Sequence, residues 1–332
     1  MDDTSALAEI RRAVQKTLDA WPDARAAVLF GSRARGTHRP DSDWDIAFIT
    51  VGDGDRLGKR PKGVTFSFPD VGQYVNDLVI PEELVARKAL CIGHVGHGIA
   101  RDGRVLAGHW VKPETKGRPF MEAERYGRLM RTSLDMVERA IDATSKIGLS
   151  DDWERALTKA DDFVACTADA AEHLAKAMLG RHGITPEHSH AIDKLAGQAR
   201  DAGLHDLGRD LLGLDGFTQS DHKTRYEGTD SSGHRHAIER LPNVVDLLKK
   251  EVASVPHSFI NGEKRDSLIK TMVDVLAAGA SDLRSAVERD GADMRPPHPH
   301  GWLKPLLDLR RTLPARLDDA AKDLGGRSAG TE

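Results

Sequence analysis

The apolar positions of this chain follow two different rhythms. Up to about residue 110 they come in short runs: Ala26-Ala27-Val28-Leu29-Phe30, Ile46-Ala47-Phe48-Ile49, and the stretch 75–80. The first two show no polar alternation, which predicts strands covered on both faces. Ahead of them, MDDTSALAEI opens an amphipathic helix. Beyond Gly108 the spacing turns helical. Apolar residues recur every three to four positions over 120–147 and 153–179 and from Pro186 to about Ala202, with shorter segments to Leu214. Helices are predicted again over 236–252, within 264–288 and over 302–324. A polar loop is expected over 219–233, and a Pro/His segment, 295–300, separates the last two helices. No repeat of solenoid period is present, and the tail after Gly325 is expected to be disordered.

The polar stretch 112–119 carries Pro113, Gly117 and Pro119 and reads as a linker. The resulting expectation is an α+β chain in three parts. A small mixed β-sheet domain occupies 1–112 and an all-α helical bundle 119–255. Additional C-terminal helices, 256–325, pack on the bundle.

Chemistry concentrates in AAVLFGSRARGTHRPDSDWDIAFIT, residues 26–50. Gly31 allows a sharp turn after the first strand and a close backbone approach to a ligand. Ser32 can cap the next helical turn or donate its hydroxyl to a phosphate oxygen, and free backbone N–H groups at such a turn attract anions. Arg33 and Arg35 add positive charge. Asp43 and Asp45, two apart on an extended chain, project to the same side. Paired carboxylates repel unless a cation lies between them, and Mg²⁺ takes one or two carboxylates together with substrate phosphates. The other reading of SDWD is a polar turn, with Asp43 forming an Asx-type bend. Two-metal phosphoryl chemistry calls for a third acid nearby. Asp77, a lone acid in the apolar stretch 75–80, is the candidate; its alternative is an edge-strand carboxylate facing water.

The segment GSRARGTHRPDSDWDIAF resembles the signature of the minimal nucleotidyltransferases of the DNA polymerase β-like superfamily, over roughly residues 5–110. The stretch 98–106 is similar to that family's closing helix and strand. The resemblance implies a mixed sheet flanked by helices and transfer of a nucleoside monophosphate, AMP from ATP, to a hydroxyl with release of pyrophosphate. It further implies that Gly31, Ser32, Arg33 and Arg35 bind the nucleotide along with Asp43 and Asp45. Two Mg²⁺ ions would be held by Asp43, Asp45 and Asp77, which are also the catalytic residues.

Composition narrows the setting. With 48 Lys and Arg against 52 Asp and Glu, a net charge of −4 gives the chain no general attraction for nucleic acid. Two cysteines exclude a disulfide framework, no apolar run reaches membrane-spanning length, and the acidic start lacks a signal-peptide pattern. A cytoplasmic location without membrane association is expected. Histidines recur as close pairs (94/97, 188/190, 234/236, 298/300) and are expected to be scattered loop and cap residues, not the three or four convergent ligands of a Zn²⁺ site. Asp53 and Asp55 lack the ligand series of a Ca²⁺ loop and are expected in a solvated hairpin loop.

The segment 161–195 resembles the HEPN family of helical bundles, through an acidic, alanine-rich helix, a Gly- and Pro-containing turn and a His-initiated helix. Arg225-Tyr226 is similar to an Arg-Tyr element late in that fold. The ribonuclease pairing of some members, Arg and His four to six residues apart, has no counterpart at Arg225, and Arg181 with His188 flanks a turn instead. The bundle is therefore expected to serve the transferase, closing its cleft and presenting the acceptor, with homodimerisation through the bundle. Fusion of the two modules resembles toxin–antitoxin and defence systems, implying a protein or RNA acceptor. The alternative is a small-molecule transferase of the aminoglycoside type, whose cationic substrate would want an acidic cleft from Asp161, Asp162, Asp169 and Glu172.

Overall fold

The computed structural model describes residues 2–52, 57–62, 64, 67–146, 153–187, 189–215, 231–290 and 303–328. Asp53, Asp55, His188, Arg225, Tyr226 and the segment 295–300 lie outside them. The fold is α+β, and the chain divides into two compact units, Met1–Met121 and Glu122–Glu332.

The first unit contains α1 (Asp3–Asp19), β1 (Ala24–Phe30), α2 (Gly31–Arg35), β2 (Trp44–Thr50), β3 (Val75–Pro81), α3 (Glu82–Lys88), β4 (Cys91–Ile92), α4 (Val95–Asp102), β5 (Arg104–Gly108) and β6 (Phe120–Met121). Four strands form a mixed sheet in the order β3-β2-β1-β5. β1 runs antiparallel to β2 and β5, and β2 runs parallel to β3. Both faces are covered, which explains the unbroken apolar runs of β1 and β2. On one face Ala6, Ile10 and Val14 of α1, with Trp21, pack on Ala27, Leu29, Ile46, Phe48 and Val79. On the other, Leu84, Val85, Ile99 and Ala100 of α3 and α4 meet Ala26, Val28, Ala47, Ile49 and Ile80.

Phe120 and Met121, expected to begin a helix, instead form β6. It pairs parallel with β4, and the Phe120 N–H donates to Leu90 O at 3.0 Å. Tertiary pairing here overrides the local pattern, and the helix starts three residues later.

The second unit comprises α5 (Ala123–Lys146), α6 (Trp153–Arg181), α7 (Ile192–Asp201), α8 (His205–Leu212), α9 (Ser231–Ser254), α10 (Gly262–Asp290) and α11 (Leu303–Ser328). α5 packs along α6 and buries Tyr126, Met130, Leu134, Val137 and Ile141, and α10 pairs with α11. Two boundaries differ from the sequence reading. α9 begins inside the stretch expected as a polar loop. α11 runs through Gly325 and Gly326 to Ser328 where disorder was expected, because buried Leu317, Ala320 and Leu324 extend its packed face into that last turn.

A buried ionic knot ties three helices together. Arg181 at the end of α6 donates from Nε and Nη2 to both oxygens of Glu251 on α9, at 2.6 and 2.9 Å. The Tyr126 hydroxyl of α5 donates to the same carboxylate at 2.9 Å. Glu251 is 1% exposed, and burial, then the Glu251 charge, pushes the Tyr126 phenol far above its ordinary value. Removing one member of a buried pair strands the other charge, at about 3–5 kcal/mol, whereas losing a neutral donor costs less. Urea denaturation is therefore expected to show Glu251→Gln as about 3 kcal/mol less stable than the parent. Tyr126→Phe should cost about 1 kcal/mol; the reverse ranking would contradict the assignment.

Candidate active site

The site grows from the junction of β1, α2 and β2. Antiparallel register sets Phe30, the last residue of β1, opposite Asp45, the second residue of β2. The chain then turns at Gly31, whose φ of +73° lies in the left-handed region. A Cβ on Gly31 would overlap the Asp45 carboxylate oxygen Oδ2. Glycine is required twice over, by its dihedral and by the carboxylate lying against its bare Cα. Ser32 follows, half-buried, in the first turn of α2, where backbone N–H groups have no intrahelical acceptor.

Asp45 is also oriented from its other side. Parallel register places Asn76 of β3 beside it, and Asn76 Nδ2 donates to Asp45 Oδ1 at 3.2 Å. Asp43 lies two residues earlier, exposed, just before β2. Two carboxylates with substrate phosphate oxygens suit one Mg²⁺, and the Asp45 carboxylate fills the space that a Cβ on Gly31 would take. Asp45 and the Gly31 turn are thus brought together, with Asp43 two residues before Asp45 along the chain.

Asp77 is not. Its register partner is Ile46, so it shares the face of Ile46 while Asp45 and Asn76 share the opposite one. Its side chain is 6% exposed, so it is not an edge acid facing water either. Arg60 pairs with its Oδ1, and Oδ2 is buried without a hydrogen-bond partner among the described residues. Burial pushes the Asp77 carboxyl above its ordinary value, and Arg60 only partly offsets this. A third ligand at Asp77 is corrected by this register, and the expected second metal loses its acid. Among the described residues no three of His, Cys, Asp and Glu converge.

Both arginines expected at the nucleotide are engaged elsewhere. Arg33 is buried; its guanidinium donates to Ser42 O (2.9 Å), Pro40 O (3.4 Å) and Asp3 Oδ1 (2.9 Å) and lies 4.1 Å from the centroid of the Trp44 ring. Arg35 donates to Asp102 Oδ2 at 3.0 Å. Burial raises the Asp102 carboxyl, but hydrogen bonds from Arg101 and Arg35 outweigh it and hold the group below the usual range. The contributions of Asn76, Asp102 and Asp3 carry no local sequence signal; they follow from register and packing.

Comparison with known proteins gives three similarities. Residues 12–60 match the family described as "Polymerase beta, Nucleotidyltransferase". The chain is 26% identical over 139 residues to the protein adenylyltransferase MntA of Aphanizomenon flos-aquae, a match spanning 42% of this chain and 89% of that protein. A solved nucleotidyltransferase-like protein from Exiguobacterium sibiricum is similar over 84% of this chain and 90% of its own, at 15% identity and a TM-score of 0.37. The family match lies within the first unit, which is similar there to polymerase β-like nucleotidyltransferases, and these sequence likenesses support a nucleotidyltransferase enzyme.

Two outcomes follow from these contacts. Gly31→Ala should abolish transfer and lower stability by at least about 1–2 kcal/mol, the cost of a left-handed non-glycine residue, measurable by activity assay and denaturation. Asp77, with a folded-state pKa above its unfolded value, favours the folded state only while protonated; that contribution is lost as pH rises through the folded pKa. Asp77→Asn should therefore gain stability relative to the parent between acidic and neutral pH, with transfer reduced less than tenfold. A loss equal to that of Asp45→Asn would return Asp77 to the site.

Proposed function

We propose that the chain transfers AMP from Mg²⁺-bound ATP to a hydroxyl of a protein, releasing pyrophosphate. The observation that carries this reading is the Asp45 carboxylate lying against the bare backbone of Gly31, with Asp43 two residues before it. In the step, the bond between the α-phosphorus and the bridging oxygen breaks. A bond from the acceptor oxygen to that phosphorus forms, pyrophosphate leaves, and the acceptor proton passes to solvent. The Gly31-Ser32 turn holds the polyphosphate through backbone N–H groups and the Ser32 hydroxyl. Asn76 fixes the rotamer of Asp45, so the two acids keep one geometry through the reaction. A Mg²⁺ ion held by Asp43 and Asp45 would neutralise charge on the reacting phosphates.

The protein acceptor is supported by the relative named protein adenylyltransferase. The small-molecule alternative has less support, because two of the four acids proposed for a cationic substrate are already paired. Asp162 meets Lys159, and buried Glu172 meets Lys176 and His190. Lys176 and His190 outweigh the upward push of burial and hold the Glu172 carboxyl below its usual range. Arg181, the other half of a ribonuclease reading, is engaged by Glu251.

Incubation with α-labelled ATP, Mg²⁺ and cell extract is expected to label protein bands. Label confined to RNA, or to an added antibiotic, would overturn the protein assignment. Asp43→Asn and Asp45→Asn should each keep the fold by circular dichroism and lower transfer by about a hundredfold or more, as expected when several kcal/mol of charge stabilisation is lost.

A further inference from the structure

Asp43 is exposed and lies outside β2, so no ladder of hydrogen bonds fixes it directly. Both of its neighbours, however, are held by one side chain. The Arg33 guanidinium donates to the Ser42 carbonyl from one edge and stacks on the Trp44 ring with its face. A third contact, to Pro40 O, anchors the approach to the same loop. What holds Arg33 in turn is Asp3, in the first turn of α1, thirty residues away in sequence. Its other oxygen, Oδ2, meets His38 Nε2 at 2.6 Å, so one carboxylate grips both the guanidinium and the loop it supports. The hydrogen bond from Arg33, then that from His38, holds the Asp3 carboxyl below its ordinary range.

We propose that Asp3, acting through Arg33, is a positioning residue for Asp43 and sets the affinity of the site for its divalent cation. The inference rests on the functional reading above, in which Asp43 is a metal-holding acid. A planar guanidinium suits the task because its donors point along a fixed fork while its face remains free to stack. Lysine at 33 would keep the charge but not the simultaneous grip on Ser42, Pro40 and Asp3. α1 thereby acquires a second duty besides covering the sheet. Partners that orient a metal ligand typically change metal affinity or activity by about 10–100-fold when removed.

The test is an EPR titration of Mn²⁺ into the full-length chain, comparing the parent with Asp3→Ala, Arg33→Lys and Asp43→Asn, alongside urea denaturation and transfer assays. The expected result for Asp3→Ala is about a tenfold or greater loss of Mn²⁺ affinity. Its unfolding transition should stay close to that of the parent, because the Asp3 side chain is 51% exposed, and excess Mn²⁺ should partly restore transfer. Arg33→Lys should lose Mn²⁺ affinity at least as strongly; should it fail to fold, Asp3→Ala decides alone. Unchanged Mn²⁺ affinity in Asp3→Ala, with a clear loss in Asp43→Asn, would overturn the positioning role and leave the metal site standing. Mn²⁺ binding that Asp43→Asn does not alter would overturn the metal reading itself.

Discussion

The first unit is organised around a backbone that comes too close to a carboxylate for any side chain to intervene. Gly31 can lie against Asp45 only because β1 and β2 are paired so that Phe30 faces Asp45 and the next residue turns with a positive φ. Everything that supports this contact also supports the site. The apolar faces of β1 and β2 are clamped between α1 on one side and α3 with α4 on the other, leaving little freedom to slide. A one-residue slip would exchange the side chains of β2 between its two packed faces. The same packing that makes the sheet stable therefore fixes where Asp45 meets Gly31.

Charge within this unit is used more for construction than for display. Three arginines near the candidate site each have a carboxylate: Arg33 with Asp3, Arg35 with Asp102, Arg60 with Asp77. A guanidinium buried beside a loop replaces the water its donors would otherwise bind, and the planar group satisfies several carbonyls at once. Arginine-rich sequence next to a glycine turn looks like a phosphate clamp when read linearly. In three dimensions Arg33 and Arg35 are engaged by the carboxylates of Asp3 and Asp102, and under the proposed function phosphate would be left to backbone N–H groups and a hydroxyl.

The second unit shows the same economy with a different purpose. Its helices bury small residues along α5 and α6, and an ionic knot of Tyr126 with Glu251 and Arg181 lies where three helices meet. Buried ion pairs contribute specificity of packing more than net stability. Here the knot fixes which turn of α9 faces the end of α6. The arginine that a ribonuclease reading would have placed in chemistry is part of that fastening.

Much of this protein was legible in its residues. Unalternated apolar runs identified β1 and β2, helical spacing identified the second unit, and the sharp turn expected at Gly31 is present, because turn geometry and strand period are local properties. What the linear pattern could not supply was phase between strands. Asp77 stands in the right stretch, but facing is decided by pairing, and β3 pairs so that Asn76, not Asp77, lies beside Asp45. The same holds for Arg33 and Arg35, whose partners Asp3 and Asp102 come from distant helices. Composition and periodicity determined the class of fold and the ingredients of the site. Register and long-range packing decided which of those ingredients meet, because a side chain's direction is inherited from its neighbours' hydrogen bonds rather than from its own identity.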